Sequence, residues 1–381
     1  YNKLATAIGQ RPKGLVTYPD INDSEVGFVP QINGQSKHIL LGLNAISGIG
    51  EQEINEIIEK RPYTSLDDFM NRSSDVFSIK KMILLIKSGA LNCFDENRRK
   101  LMINYISKIV ELKKKLTTVQ IKKIGNYIPK KFENQKNAYL MKDYVKNDKT
   151  LYDGPIGRWF LNVVKPLISS YENTLRNKPE GDFWSIEYGK IIIDSKRYNK
   201  WFNEYSKPLK DWLKTDEAIN IERKVRCSEI WKKECQGNPE HWAFEALNFY
   251  PEKHELEVSN LWSQLPYKSF NDLSPEQKLV KTVRSKNGRE FNIYHTYIIA
   301  GTIVAKNNVK STVSLLTPDG LAIVSLGRNT YSKIGKKEMS GKGKNRKCIS
   351  DSWLERGEML VVTGYRQQDS FRLRKDSNMS T

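Results

Sequence analysis

Residues 40–72 read LLGLNAISGIGEQEINEIIEKRPYTSLDDFMNR. Gly48 and Gly50 stand one residue apart between two apolar segments of helical period. Glycine permits positive φ and a close backbone approach, because no Cβ intervenes. A helix starting at Glu51 or Gln52 offers N–H groups that have no intrahelical partner, and its dipole favours an anion there. Gly48, Ile49, Gly50 and Glu51 can therefore present backbone N–H groups to a phosphate. That is the physics of a helix-hairpin-helix, which holds a nucleic-acid backbone without reading bases. The same residues also suit a plain helical corner closed by a glycine cap, and Gly-x-Gly alone does not separate the two. Past the turn, Ile54, Ile57 and Ile58 share one helical face. Pro62 ends that helix. Ser65 can cap the next one, with Asp67 and Asp68 in its first turn.

The order of the surrounding segments narrows the reading. Pro19-Asp20-Ile21-Asn22 with Ser24 precedes the turn, and Leu41-Gly42-Leu43 leads into it. Ser65-Leu66-Asp67-Asp68-Phe69 and Leu85-Ile86-Lys87-Ser88-Gly89-Ala90-Leu91 follow, and far downstream comes Glu245-Ala246-Leu247-Asn248-Phe249-Tyr250 with His254 and Leu256. This order resembles the C-terminal part of the bacterial replicative DNA polymerase III α subunit (family C). There a PDIN-S segment, an FGL-AIKGVG hairpin, an F-SL-DF turn, an LI-AGA-D second hairpin and an LGFY-S-HPL segment precede an OB-fold. The resemblance covers residues 10–100 and 240–381, and the middle of the chain carries none.

Composition bounds the alternatives. The 381 residues leave room for two or three domains. No apolar run is long enough to span a bilayer, and no secretory signal opens the sequence. The expectation is a cytoplasmic protein without a membrane partner. The formal charge of +19 favours a polyanion, although abundant Lys and Asn also suit an AT-rich genome. Cys93, Cys227, Cys235 and Cys348 form no C-x-x-C pair. Cys227, Cys235, His241 and His254 have no structural zinc spacing, so free thiols are expected. The sequence begins at Tyr1 rather than Met, and the expectation is a fragment or split subunit of a longer polymerase.

An α+β multidomain chain is expected. Residues 1–38 form a lead-in that resembles the end of a fingers domain. Residues 39–116 form tandem helix-hairpin-helix elements, with a long helix from Asp95 to about Leu116. Residues 117–150 carry many lysines and read as a basic linker or surface helical extension. Residues 151–284 hold seven of the eight tryptophans and read as a packed, mostly helical region. Residues 285–381 switch to strand signals at Tyr297–Val309, Thr312–Leu316, Leu321–Leu326, Met359–Arg366 and Ser370–Leu373. Five short strands with a helix or loop between the third and fourth match a five-stranded OB-like barrel. That spacer is rich in Lys, Arg and Gly and reads as a basic loop.

Template-directed phosphoryl transfer needs carboxylates that hold two metal ions about 4 Å apart. The nearest pattern is Pro19-Asp20-Ile21-Asn22-Asp23, where Asn22 replaces the second aspartate of the family's palm motif. No Walker A, Gly-x-Ser-x-Gly, His-Glu-x-x-His or deaminase pattern is present. The expectation is a chain that holds DNA but lacks the catalytic carboxylates. Its cofactor list is empty, and Mg²⁺ belongs to a polymerase active site outside it. The resemblance implies duplex contacts at the hairpins, with Lys37, Lys87 and Arg98 as candidate phosphate partners beside Gly48, Ile49, Gly50 and Glu51. It implies single-stranded template at the barrel, with Tyr297, Arg328, Tyr331, Lys333, Arg346 and Arg366 as candidates. The implied partners are DNA and a catalytic chain or segment with PHP, palm and fingers. A sliding clamp is a weaker candidate, from a loose likeness of Gln135–Leu140 and Gln264–Tyr267 to a clamp-binding peptide. A free-standing DNA-binding or repair accessory protein with the same modules is the alternative, and an assembly protein with incidental charge is a third class.

Overall fold

A computed structural model describes residues 15–33, 36–73, 75–145, 183–187, 190–259, 266–285, 287–340, 347–350 and 352–373. The chain divides into two units, one of residues 1–103 with 234–381 and one of residues 104–233. The division falls inside the region expected to be helical hairpins, and again inside the Trp-rich region, rather than at 116 and 284.

The first unit opens with β1 (Val16–Thr17), β2 (Val29–Asn33) and β3 (Ser36–Leu40), in a sheet of order β1-β3-β2. β1 runs parallel to β3, and β2 runs antiparallel to it. Then come α1 (Glu51–Glu59), α2 (Leu66–Ser73) and α3 (Ile79–Ser88). Ile54 and Ile57 are buried, as their helical spacing requires. Ser78 caps α3 by accepting from the Lys81 N–H, and Gly89 ends it in the left-handed region. α4 (Arg98–Ile109) passes from the first unit into the second.

The second unit holds α5 (Ile121–Ile124), α6 (Glu133–Val145), the antiparallel hairpin β4 (Trp184–Glu187) and β5 (Lys190–Ile193), α7 (Ser195–Tyr205), α8 (Lys207–Trp212) and α9 (Asp216–Glu234). Ile121, Ile124, Ile128 and Phe132 join Leu209, Trp212 and Ile219 in one buried cluster. Of the two alternatives for the stretch after residue 117 the structure therefore takes the helical one over the linker, with its isoleucines in a core rather than on a surface extension. α4 stops before the expected Leu116 for a reason outside its own sequence. Arg223 of α9 donates to the carbonyls of Val110 (2.9 Å) and Ser107 (2.5 Å), and Arg226 donates to that of Glu111 (2.6 Å). Both guanidinium groups satisfy carbonyls left over at the helix end.

The chain then returns to the first unit with α10 (Pro239–Leu247), which packs on α3, and α11 (Glu255–Val258). Trp242 is fully buried here. An antiparallel ribbon follows, β6 (Leu279–Arg284) and β7 (Glu290–Tyr294). The closed barrel uses β8 (Tyr297–Asn307), β9 (Thr312–Thr317) and β10 (Gly320–Ser325), joined by α12 (Arg328–Ile334) and the hairpin β11 (Glu338–Ser340) with β12 (Lys347–Ser350) to β13 (Met359–Gln367) and β14 (Ser370–Leu373). Around the barrel the order is β8-β9-β10-β14-β13, with β10 and β14 parallel and the other pairs antiparallel. This is the five-stranded OB-like arrangement, with its helix after the third strand. Closure needs Gly364, where an added Cβ would fall 1.9 Å from the Arg372 carbonyl oxygen. The spacer between β10 and β13 is not a plain loop, since it holds α12 and the β11–β12 pair.

Candidate nucleic-acid interface

The Asp20–Ser24 segment forms a hydrogen-bonded knot behind the first hairpin. An Asp20 carboxylate oxygen accepts the Asn22 N–H (2.7 Å) and the Asp23 N–H (3.3 Å). Asn22 pairs with the backbone of Tyr63, donating from Nδ2 to its carbonyl (2.9 Å) and accepting its N–H at Oδ1 (2.8 Å). An aspartate could not make the first of these bonds. Ser24 Oγ donates to the Leu41 carbonyl at 2.6 Å, and the Ile21 N–H donates to the Ala90 carbonyl at 2.8 Å. One Asp20 carboxylate oxygen and the Asn22 and Ser24 side chains of this segment are thus bonded to backbone groups. Among the described residues, no group of three or more His, Cys, Asp or Glu is placed to hold a metal ion.

At the turn, Gly48 has φ 85°, a left-handed conformation that side chains with a Cβ rarely adopt. Buried Ile49 pins the turn between exposed Gly48 and Gly50. The geometry narrows the expected set of four amides. Ile49 N–H donates to the Ile46 carbonyl (3.3 Å), and Gly50 N–H donates to a Glu53 carboxylate oxygen (2.8 Å). Lys81 also binds Glu53, and together these contacts hold its carboxyl below the usual carboxylate range although burial opposes the shift. Gly48 and Glu51 are both exposed, and Glu51 lies in the first turn of α1, where N–H groups lack intrahelical partners. Lys37 is exposed on β3. Lys80, which was not among the expected phosphate partners, is exposed on α3. Its place in the first turn of a capped helix is the signal that could have found it.

Two expected phosphate partners are spent internally. Lys87 is 7% exposed, and its ammonium lies 2.5 Å from a Glu245 carboxylate oxygen. Arg98 is equally buried. It donates to the Lys87 carbonyl (3.1 Å) and to Tyr18 Oη (3.2 Å), with its guanidinium over the Tyr18 ring. Buried charge requires paired groups, so both residues brace the second hairpin. The turn of that hairpin, at Gly89, Ala90 and Leu91, is itself buried.

On the barrel, Arg328 and Lys333 are exposed on α12. Tyr331 packs on the barrel core and donates from its hydroxyl to Asn308 (2.6 Å). Tyr297 packs on the same core, edge-on to His295. Arg366 is another correction. Its guanidinium donates to the carbonyls of Leu273 (2.7 Å) and Phe270 (3.1 Å) and covers the Phe270 ring, fastening the approach to the barrel. Arg346 lies outside the described residues. Trp353 is 62% exposed beside the end of α12. No sequence signal separates it from the buried tryptophans.

The Glu245–Leu256 segment joins turn and barrel. Asn248, left-handed at φ 67°, ends α10 and donates from Nδ2 to Ser47 Oγ (2.6 Å), while the Ser47 N–H donates to the Ala246 carbonyl (2.7 Å). On the other side, the Tyr250 hydroxyl bonds Thr302 Oγ1 (2.8 Å). His254 Nδ1 accepts the Leu256 N–H (3.1 Å), which leaves Nε2–H to donate to the Leu316 carbonyl (2.8 Å). Gln135–Leu140 lies inside α6, and Gln264 lies outside the described residues. None of the four cysteines forms a disulfide.

A helix-hairpin-helix element bonded to an OB-like barrel defines the class of this chain. The family described as "Helix-hairpin-helix motif" matches residues 15–101. The probable DNA polymerase YorL of Bacillus subtilis (strain 168) and the DNA-directed DNA polymerase of Bacillus phage SPbeta are each 31% identical over 390 residues, 99% of this chain and 29% of theirs. The DNA polymerase III subunit alpha of Streptococcus pyogenes is 38% identical over 72 residues, 18% of this chain and 7% of that protein. The chain thus resembles a C-terminal region of DNA polymerases, and it spans 29% of the length of the first two relatives. No helix among the described residues is long and apolar enough to cross a membrane.

Proposed function

We propose that this chain is the DNA-holding, non-catalytic portion or split subunit of a replicative DNA polymerase. The observation that carries the reading is the Glu245–Leu256 joint, which bonds the Ser47–Gly50 turn and the barrel into one unit. A polymerase must hold product duplex and incoming template in fixed relation, and such a joint suits that task. The match to DNA polymerases over 99% of the chain and the net charge of +19 support the reading.

In this reading the turn holds a duplex phosphate through the Gly48 and Glu51 amides. Lys37 and Lys80 add charge that offsets the Glu51 carboxylate. The barrel guides single-stranded template with Tyr297, Tyr331, Arg328 and Lys333. PHP, palm and fingers, with the Mg²⁺-holding carboxylates, belong to the remaining polymerase. The test is a primer-extension and binding assay on the purified chain. It should bind primed template with strong salt dependence and incorporate no nucleotide when Mg²⁺ is supplied. Extension that disappears with Asp20→Ala, or the absence of salt-dependent binding, overturns the reading.

A further inference from the structure

The β6–β7 ribbon is a two-stranded sheet of its own, anchored to the barrel where Tyr294 packs on Tyr365 of β13 with ring centroids 5.2 Å apart. Nearly every residue of both strands is exposed. Its register sorts the side chains onto two faces. Thr282 pairs with Asn292 and Arg284 with Glu290 on one face, where Thr282 Oγ1 donates to Asn292 Oδ1 (2.9 Å) and Arg284 lies 3.9 Å from Glu290. The polar groups of that face largely satisfy one another. The other face carries Val283 opposite Phe291 and Lys281 opposite Ile293, with Arg289 at the tip. Phe291 is 55% exposed, Val283 40% and Ile293 38%. Residues 278–294 hold five basic residues against one acidic residue.

A two-stranded ribbon alone is marginal in water, and a contiguous exposed apolar face marks a binding surface. We propose that this face is a second single-strand contact, separate from the barrel residues. Phe291 would stack on an unpaired base, and Lys281 and Arg289 would hold the flanking phosphates. The excess of positive charge selects a polyanion as the occupant. The apolar centre selects base faces rather than groove edges, since groove edges call for hydrogen-bonding side chains at the centre of the contact, where this face carries Phe291 and Val283 while Thr282 and Asn292 lie on the opposite face. An aromatic side chain between two cations is the arrangement that holds unpaired bases with little sequence preference. The inference rests on the reading of the chain as a DNA-holding protein.

The test is fluorescence anisotropy on the full chain, with labelled oligo(dT) and a duplex of equal length, over a salt series. Phe291→Ala should weaken oligo(dT) binding by about 5- to 100-fold with the salt slope unchanged. Lys281→Gln with Arg289→Gln should lower that slope by about 1.4, near 0.7 for each phosphate no longer neutralised. Arg284→Gln, on the opposite face, should do neither. Duplex affinity should hold in all three variants, and an unchanged melting temperature confirms folding of the exposed-residue variants. If wild type binds oligo(dT) and Phe291→Ala binds it equally well, the ribbon proposal fails while the DNA-holding reading stands. If Arg284→Gln costs as much slope per charge as the double variant, the contact is diffuse charge and the proposal fails. If Phe291→Ala changes the oligomeric state by light scattering and leaves DNA affinity intact, the face is a protein interface and the proposal fails. If wild type binds neither nucleic acid, both readings fall together.

Discussion

Asn22→Asp gives the sharpest test of what the Pro19–Asp23 segment does. The substitution creates an Asp-x-Asp pair at residues 20 and 22, the spacing of the first two carboxylates of the palm motif, so two readings of the segment diverge. In the structure Asn22 is half-buried and uses both ends of its amide on Tyr63, at 2.9 and 2.8 Å. Aspartate keeps the acceptor, loses the donor and sets an anionic oxygen against the Tyr63 carbonyl. Losing the bond and leaving that carbonyl unpaired costs about 1–3 kcal/mol. Partial exposure of Asn22 argues for the lower half of that range, and the oxygen–oxygen repulsion adds to it. A net loss of about 2 kcal/mol lowers Tm by roughly 4–8 °C in a unit of this size. The deficit should depend on pH. Below about pH 4 the new carboxyl is protonated and can donate again. Its folded pKa is raised by the carbonyl, so the recovered stability is present at low pH and lost as pH rises through that value. Thermal melts followed by circular dichroism at pH 7 and at low pH, with and without Mg²⁺, measure all of this. A variant as stable as wild type at pH 7, or one stabilised by Mg²⁺, would refute the structural role assigned to Asn22.

Two further substitutions probe the turn and the joint. Gly48→Val should weaken duplex binding and lower its salt slope by about one for each phosphate released, because a Cβ at φ 85° is strained and would sit 3.1 Å from Leu84 Cδ1; a folded variant with unchanged affinity and slope would remove the hairpin from the interface. His241 has its pKa raised, first by its hydrogen bond to Glu255 and also by the nearby Glu245 carboxylate, against burial. That contribution to stability is complete below about pH 6.5 and is lost as pH rises through the folded value, so His241→Gln should flatten the fall in stability toward alkaline pH, and urea titrations at several pH values would expose a curve that keeps its slope.

What the sequence determined by itself was local. Gly48-Ile49-Gly50 with the isoleucine spacing after it specified a turn entering a helix, because φ preference and helical period act within a few residues. The five barrel strands were legible to within a few residues at each end, since short runs of β-branched and apolar residues between turn residues are also short-range signals. The resemblance through PDIN, the two hairpin segments and ALNFY pointed to a polymerase from residue order alone. Only the tertiary structure decided which charges remain for a ligand. Lys87 and Glu245 lie 158 positions apart in sequence, and Arg366 reaches carbonyls 93 and 96 positions away. No local pattern distinguishes a cation bound for solvent from one that will be buried against a distant carboxylate or carbonyl. The same holds for the division of the chain at residues 103 and 233, and for the face of the β6–β7 ribbon. Its first strand falls in the stretch expected to be mostly helical, because pairing with β7 rather than local pattern made it a strand.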